Sequence, residues 1–198
     1  FIISLHTTTG LTVNETAATG VPLYTIRGVG FQDYSTAASS TVGLYFDEIA
    51  MPYTVMTRGL VFDQARVEVL KGPQGDLFGS NTTAGSINFI SNKPTQEFEA
   101  GLIGSYGRYQ AYDVEGYVTG GTDFAQGRLA IKTSQSDEGW QESTTSNDEL
   151  GEEDATALRG IVNFDFSEDL SLRVSPAATP NVFKPASVTP GIKITLKF

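Results

Sequence analysis

The sequence contains no cysteine, which excludes both a disulfide framework and a thiolate metal site. Its one histidine, His6, stands in a Thr-rich opening, with no partner at a spacing that specifies a catalytic triad. Long apolar runs are missing as well, so no stretch reaches the roughly eighteen residues of a membrane-spanning helix. A β-barrel needs no such run, because its strands alternate. Positive charge is scarce: 13 Lys and Arg face 23 Asp and Glu, and a net charge of −10 repels phosphate backbones, so no nucleic-acid partner is expected. There is no GxxxxGK[ST] phosphate loop, since Lys71 precedes its neighbouring glycines. No cofactor and no catalytic constellation are expected. No signal peptide is visible, which fits either a mature chain or a fragment that begins inside a domain.

What the chain does have is glycine, 21 of 198 residues, with only 39% hydrophobic and 18% charged residues. Polar without being highly charged, it relies on Thr, Ser, Asn, Gln and Gly, as suits strands with one apolar and one polar face joined by tight turns. An irregular, turn-rich globule has the same composition. The acidic charge is local, with eight acidic residues and no basic one over 134–154. A solvated loop accounts for it; a cation-attracting mouth is the alternative, although the carboxylates lack calcium-loop spacing.

Residues 1–95 read as one compact unit with short β-type runs at 23–26, 42–46, 66–70 and 86–90, separated by Gly, Asn, Asp and Pro. From Glu97 the pattern becomes regular. Phe98, Ala100, Leu102, Gly104 and Tyr106 alternate with Glu97, Glu99, Gly101, Ile103 and Ser105; Tyr112, Val114, Gly116 and Val118 with Asp113, Glu115, Tyr117 and Thr119; Leu129 and Ile131 with Arg128, Ala130 and Lys132; and Leu158, Gly160, Val162, Phe164 and Phe166 with Arg159, Ile161, Asn163 and Asp165. Strands are expected near 97–107, 111–119, 127–134, 156–166, 170–174 and 191–198. Most match the nine to eleven or so residues of a tilted transmembrane strand. Tight turns and one long acidic loop add to that pattern, although a soluble sandwich also alternates. Ser175–Pro185, with three prolines, reads as a break.

Three segments carry more specific information. They are Tyr24-Thr25-Ile26-Arg27-Gly28-Val29-Gly30, then Val42-Gly43-Leu44-Tyr45-Phe46-Asp47-Glu48, and then the long run from Ala65 through Glu68, Lys71, Gly72, Pro73, Gly75, Gly79, Asn81 and Gly85 to Asn88 and Ile90. In this order, and leading into alternating strands, they resemble the TonB-dependent outer-membrane receptors.

The resemblance implies an α+β plug domain at 1–95, followed at 96–198 by antiparallel β-strands of an incomplete transmembrane β-barrel. It also implies a non-enzymatic role in energised import of a scarce nutrient across a Gram-negative outer membrane, most often an iron–siderophore complex. The implied partners are the energy-transducing TonB complex, an iron chelate or other nutrient, and outer-membrane lipid. Arg27 and Lys71 stand where family members carry basic residues that pair with barrel-wall carboxylates. Gly28, Gly30, Asp47, Glu48, Glu68, Gly72, Pro73, Gly75, Gly79, Asn81, Gly85 and Asn88 complete the plug motifs.

The sequence departs from the family at Asp76 and Ser80, shows no TonB box, and offers about six strands where the family has twenty-two. It reads as a truncated or assembled receptor fragment whose isolated form is not a working transporter; a soluble β-rich binding module or a non-functional truncated receptor are the alternatives. Residues 31–41 and 134–154 are expected to face substrate.

Overall fold

The computed structural model describes residues 8–15, 21–30, 40–57, 61–73, 75, 82–108, 110–136, 141–142, 149–150, 153–167, 170–179 and 187–196. It divides into two units, Phe1–Asn92 and Lys93–Phe198.

In the first unit, β1 (Leu11–Glu15), β2 (Pro22–Ile26) and β3 (Val29–Gly30) form an antiparallel sheet. A second sheet contains β4 (Val42–Phe46), β5 (Ile49–Ala50), β6 (Gln64–Lys71) and β7 (Gly85–Ser91) in the order β5-β4-β7-β6. Its two central strands, β4 and β7, run parallel and are buried along their whole lengths. That is the environment a parallel pair requires, with both faces covered. Phe89 lies at the centre of the core, its ring 6.2 Å from that of Phe46 and 6.5 Å from that of Tyr24. Ile87 and Phe62 are buried with it. The Tyr24 hydroxyl meets Thr57 Oγ1 at 3.1 Å, on the 3-10 turn Thr54–Thr57.

The second unit is a six-stranded sheet. Its strands are β8 (Glu99–Tyr106), β9 (Tyr112–Gly121), β10 (Ala125–Ser136), β13 (Glu153–Asp165), β14 (Leu170–Thr179) and β15 (Ser187–Leu196), in the order β15-β14-β13-β10-β9-β8. Every neighbouring pair is antiparallel. The sheet is open: β8 and β15 are its two edges, each paired on one side only among the described residues.

Its faces are inverted relative to a soluble sheet. The side chains that alternate outward are apolar and exposed, with Leu102 77%, Leu129 49%, Ile131 47% and Leu158 42% accessible. Their register neighbours on the other face are covered, Arg159 to 1% and Ala130 and Ile161 to 2% each. That face carries polar side chains alongside the apolar Ala130, Ala157 and Ile161. The Arg128 guanidinium lies 4.0 Å over the Tyr117 ring, and the same ring covers Gly101, whose Cβ position it fills. Ser134 Oγ donates to Asp113 Oδ1 at 2.5 Å, with Lys132 Nζ 4.0 Å from the same atom, and Arg173 Nε donates to Asn163 Oδ1 at 2.8 Å. Water would reverse this arrangement, because exposing such side chains forfeits about 1.5–3 kcal/mol for each large one left unburied.

Two sequence expectations are corrected here. β14 does not stop before Ser175 but continues through Pro176 to Thr179, paired with β15 across Pro176↔Pro190. Proline offers no donor, and the β13–β14 ladder is interrupted there, between Arg159↔Ala177 and Val162↔Val174. Gly160, the residue facing the interruption, leaves room for the Pro176 ring, which lies 3.9 Å from its Cβ position. The acidic excursion is also shorter than 134–154. The β10–β13 ladder runs out to Ser136↔Glu153, and within the excursion β11 (Gln141–Glu142) pairs with β12 (Glu149–Leu150). Polar cross-strand bonds carry the ladder that far: Thr133 Oγ1 to Thr156 Oγ1 at 3.2 Å and Gln135 Nε2 to Asp154 Oδ1 at 3.3 Å.

Candidate functional site

Two of the three sequence motifs fold into the same local device. In each, two strand residues flank a two-residue hairpin whose central residues have positive φ: Arg27 (51°) and Gly28 (78°) between β2 and β3, Asp47 (48°) and Glu48 (72°) between β4 and β5. Positive φ at both positions defines the type I′ turn, whose twist matches that of the flanking strands. Asn-Gly suits it best, and Asp47-Glu48 carries two side chains through a region that L-residues disfavour.

Hydrogen bonds from the neighbouring strands hold this second turn. Ser91 N donates to Asp47 Oδ1 at 2.8 Å, Asp47 N donates to the Phe89 carbonyl at 2.9 Å, and Glu48 N donates to Asn88 Oδ1 at 3.2 Å. Asn88 in turn donates through Nδ2 to Glu68 Oε2 at 3.5 Å, and Glu68 accepts from Arg66 Nε at 2.8 Å. Asp47, Glu48, Glu68 and Asn88, named separately from the sequence, thus form one network across β4, β7 and β6. Tyr45, the register partner of Asn88, lies buried beside it, and burial pushes its phenol above the ordinary range.

Arg27 and Lys71 are also brought together, through a turn that motif reasoning did not single out. Arg27 N donates to the Gly10 carbonyl at 2.6 Å, and Lys71 Nζ donates to the Thr9 carbonyl at 2.6 Å. Leu11 N closes the same turn onto the Thr8 carbonyl at 3.0 Å. The Arg27 side chain is exposed at the hairpin tip, its stem 3.5 Å from the Cβ position of Gly10. Residues 8–10 therefore seat two basic residues that lie far apart in sequence.

The remaining motif glycines serve the backbone. Gly72 N donates to the Ala84 carbonyl at 3.0 Å, closing the chain that leaves β6 onto the start of β7. Gly30 fits under the Thr25 side chain. Gly85 is required most strictly: at φ 141°, a Cβ there would overlap the Leu70 carbonyl oxygen and sit 3.1 Å from Ile26 Cδ1. Pro73 and Gly75 are exposed beyond β6. Gly79 and Asn81 lie outside the described residues, as do residues 31–39 and most of the acidic excursion. Among the described residues no cluster of His, Asp and Glu is arranged to hold a metal ion.

A compact β-unit followed by an open antiparallel sheet with an exposed apolar face has the pattern of wall strands in a membrane β-barrel. Residues 4–86 match the TonB-dependent Receptor Plug Domain. The chain is 28% identical over 179 residues to the ferric-pyoverdine BN7/BN8 receptor of Pseudomonas putida, a match that covers 86% of this chain and 20% of that protein.

Among solved structures, it superposes on the ferric yersiniabactin uptake receptor of Yersinia pestis with a TM-score of 0.73 at 21% identity, covering 87% of this chain and 28% of that one. The ferripyoverdine receptor of the outer membrane of Pseudomonas aeruginosa gives a TM-score of 0.67 at 24% identity, covering 89% and 22%. The chain thus spans about one fifth of the curated relative it matches.

Proposed function

We propose that this chain supplies the plug and adjoining wall strands of a receptor that imports a ferric siderophore across a Gram-negative outer membrane, energised through TonB and breaking no bond in its cargo. The observation that carries this reading is the inverted sheet directly following the plug domain: lipid on the exposed face, a polar lumen on the covered one. The ferric-pyoverdine receptor of Pseudomonas putida, at 28% identity, favours an iron chelate as cargo.

In this reading Arg27 and Lys71 are the plug's basic anchors for carboxylates of the surrounding wall. Their common seat on residues 8–10 supports that role, because one turn then sets the position of both charges. A guanidinium offers five fixed donors and an ammonium three rotatable ones, so Arg27 is the more directional of the two. Residues 31–41 and the acidic excursion are the substrate-facing segments.

The test is a chimera in which this chain replaces the matching segment of the Pseudomonas putida receptor, expressed in cells lacking that receptor. Uptake of iron-labelled pyoverdine that depends on TonB is expected, reduced by Arg27→Ala and Lys71→Ala. A chimera that reaches the outer membrane yet neither binds nor imports any ferric chelate refutes the cargo assignment.

A further inference from the structure

The two edges of the second unit's sheet differ in what their backbones offer a further strand. Pro176 and Pro190 pair in an unbroken β14–β15 ladder. Neither has an N–H, so no hydrogen bond runs between them, and their rung is of the non-hydrogen-bonded kind. At such a rung both residues turn their backbone groups away from each other. Pro176 therefore faces β13, where the ladder is interrupted opposite Gly160, and Pro190 faces the free edge. Along that edge the outward backbone groups belong to Val188, Pro190, Ile192, Ile194 and Leu196, with one donor missing at Pro190.

On the other edge, Gly107 N donates to the Ala111 carbonyl at 2.8 Å, and the Gly101 carbonyl oxygen lies 3.5 Å from the Cβ position of Gly116 on β9. The odd-numbered residues of β8 thus turn their backbone groups toward β9. Ala100, Leu102, Gly104 and Tyr106 turn theirs outward, and all four are exposed.

A hydrogen-bonded seam sets outward residues of one edge opposite outward residues of the other. The two edges run in opposite directions, so β15 of one copy meets β8 of a second in antiparallel fashion, with neither copy inverted. Within one copy they do not meet, because six strands are fewer than the roughly eight of the smallest membrane barrels.

The proline selects the register. Inside the sheet Pro176 is accommodated by Gly160, its ring 3.9 Å from the Cβ position of that glycine. Pro190 requires the same kind of partner, and Gly104 is the one glycine among the four outward residues of β8. Setting Pro190 opposite Gly104 brings Ile192 to Leu102 and Val188 to Tyr106, so the apolar positions of both edges align. In the alternate rows Thr195 comes opposite Glu99, and Lys193 comes opposite Gly101, one diagonal step from Glu99. Lys193 stands directly opposite Arg173 in its own copy, a like charge that an acidic neighbour offsets. An edge proline deters most partners, and a glycine facing it makes an exception of one.

Going beyond the import reading, we propose that β8 and β15 form a self-recognition seam. Two copies of this chain join edge to edge, with Pro190 of one seated opposite Gly104 of the next. The contact is heterologous and leaves one β8 and one β15 free, so a third copy adds in the same way.

The chain has no cysteine, so introduced thiols report the seam directly. Full-length Thr189→Cys and Ser105→Cys variants, carrying different tags, are mixed in detergent micelles under a mild oxidant. Residues 189 and 105 lie one rung from the Pro190–Gly104 pair. Their mixed disulfide should form severalfold faster than that of Thr189→Cys with Ile103→Cys, which requires a two-residue slip. Adding Gly104→Val to the Ser105→Cys copy should remove this advantage. Within its own copy Gly104 has room for a side chain, the Asp113 carbonyl oxygen lying 3.9 Å from its Cβ position, so the variant tests the seam and not the fold. Adding Pro190→Ala to the Thr189→Cys copy should let the slipped pair catch up.

Equal rates in the two registers, or no effect of Gly104→Val, overturn the proposal. So does a Thr189→Cys/Ser105→Cys double variant that closes its disulfide within one chain, since the seam then lies inside a copy. Chains that stay monomeric by light scattering and form no mixed disulfide overturn it as well, and leave the import reading untouched.

Discussion

Gly85 offers the sharpest test of the plug architecture. It opens β7 opposite Lys71, at φ 141°, and an added methyl would overlap the Leu70 carbonyl oxygen, a backbone atom held in the β6–β7 ladder and unable to rotate away. Two costs combine in Gly85→Ala. A side chain in this sparsely populated backbone region costs of order 1–3 kcal/mol, and forcing a methyl against fixed backbone adds about 1–3 kcal/mol. A loss of about 3 kcal/mol or more is therefore expected.

Gly28 isolates the first of these costs. Its φ is 78° and nothing lies within 4 Å of its Cβ position, so Gly28→Ala should lose only about 1–2 kcal/mol. Gly75, with open space and no positive φ, should tolerate alanine with no measurable change. Hydrogen-exchange mass spectrometry of the full chain reads this series strand by strand. A loss of 3 kcal/mol corresponds to roughly a 150-fold faster exchange of the β7 amides, at tenfold per about 1.4 kcal/mol. If Gly85→Ala exchanges no faster than Gly28→Ala, the close approach of β7 to the Leu70 carbonyl is wrong, and with it the β6–β7 register.

Three further outcomes are expected. Asn88→Ala should leave the Glu48 amide and the Glu68 carboxylate without their bridge, costing about 1–3 kcal/mol and loosening the Asp47–Glu48 hairpin in exchange measurements. Leu129→Arg should place a charge in the middle of the exposed apolar band and cost about 2–4 kcal/mol in lipid. In detergent-free buffer the same change should improve solubility, so comparing the two media separates a lipid-facing from a solvent-facing leucine. Burial raises the Tyr45 pKa in the folded state, so its contribution to stability is fully present below the unfolded value of about 10 and is lost as pH rises through the higher folded value. Denaturation above pH 10 should consequently be less steep in pH for Tyr45→Phe than for the parent chain.

The parts of the fold that repeat every two residues were legible in the sequence. Leu129, Ile131 and Leu158 alternate with Arg128, Lys132 and Arg159 in plain view, and a one-residue slip would exchange the two faces entirely, so the register follows from the pattern. The hairpin at Asp47-Glu48 was visible only as a motif, since neither residue is one that a type I′ turn selects. It is held from outside, by Asn88 and Ser91 some forty residues away.

The seat of Lys71 on Thr9 spans 62 residues, and no local signal encodes such a contact. The prolines misled for a specific reason. Pro176 and Pro190 face one another in an unbroken β14–β15 ladder, and the interruption falls on the β13 side alone, so the strand survives. The cluster of Phe124, Phe164 and Phe166 was also unread, because Phe124 belongs to a turn and meets Phe164 and Phe166 only once β10 and β13 are paired.

The strand order carries a final consequence. With six strands alternating in direction, the two edges β8 and β15 point opposite ways. Any wall completed from this sheet with every seam antiparallel must therefore insert an even number of further strands between those edges. An odd number would force one parallel seam, so this short stretch already dictates the parity of a complete cylinder.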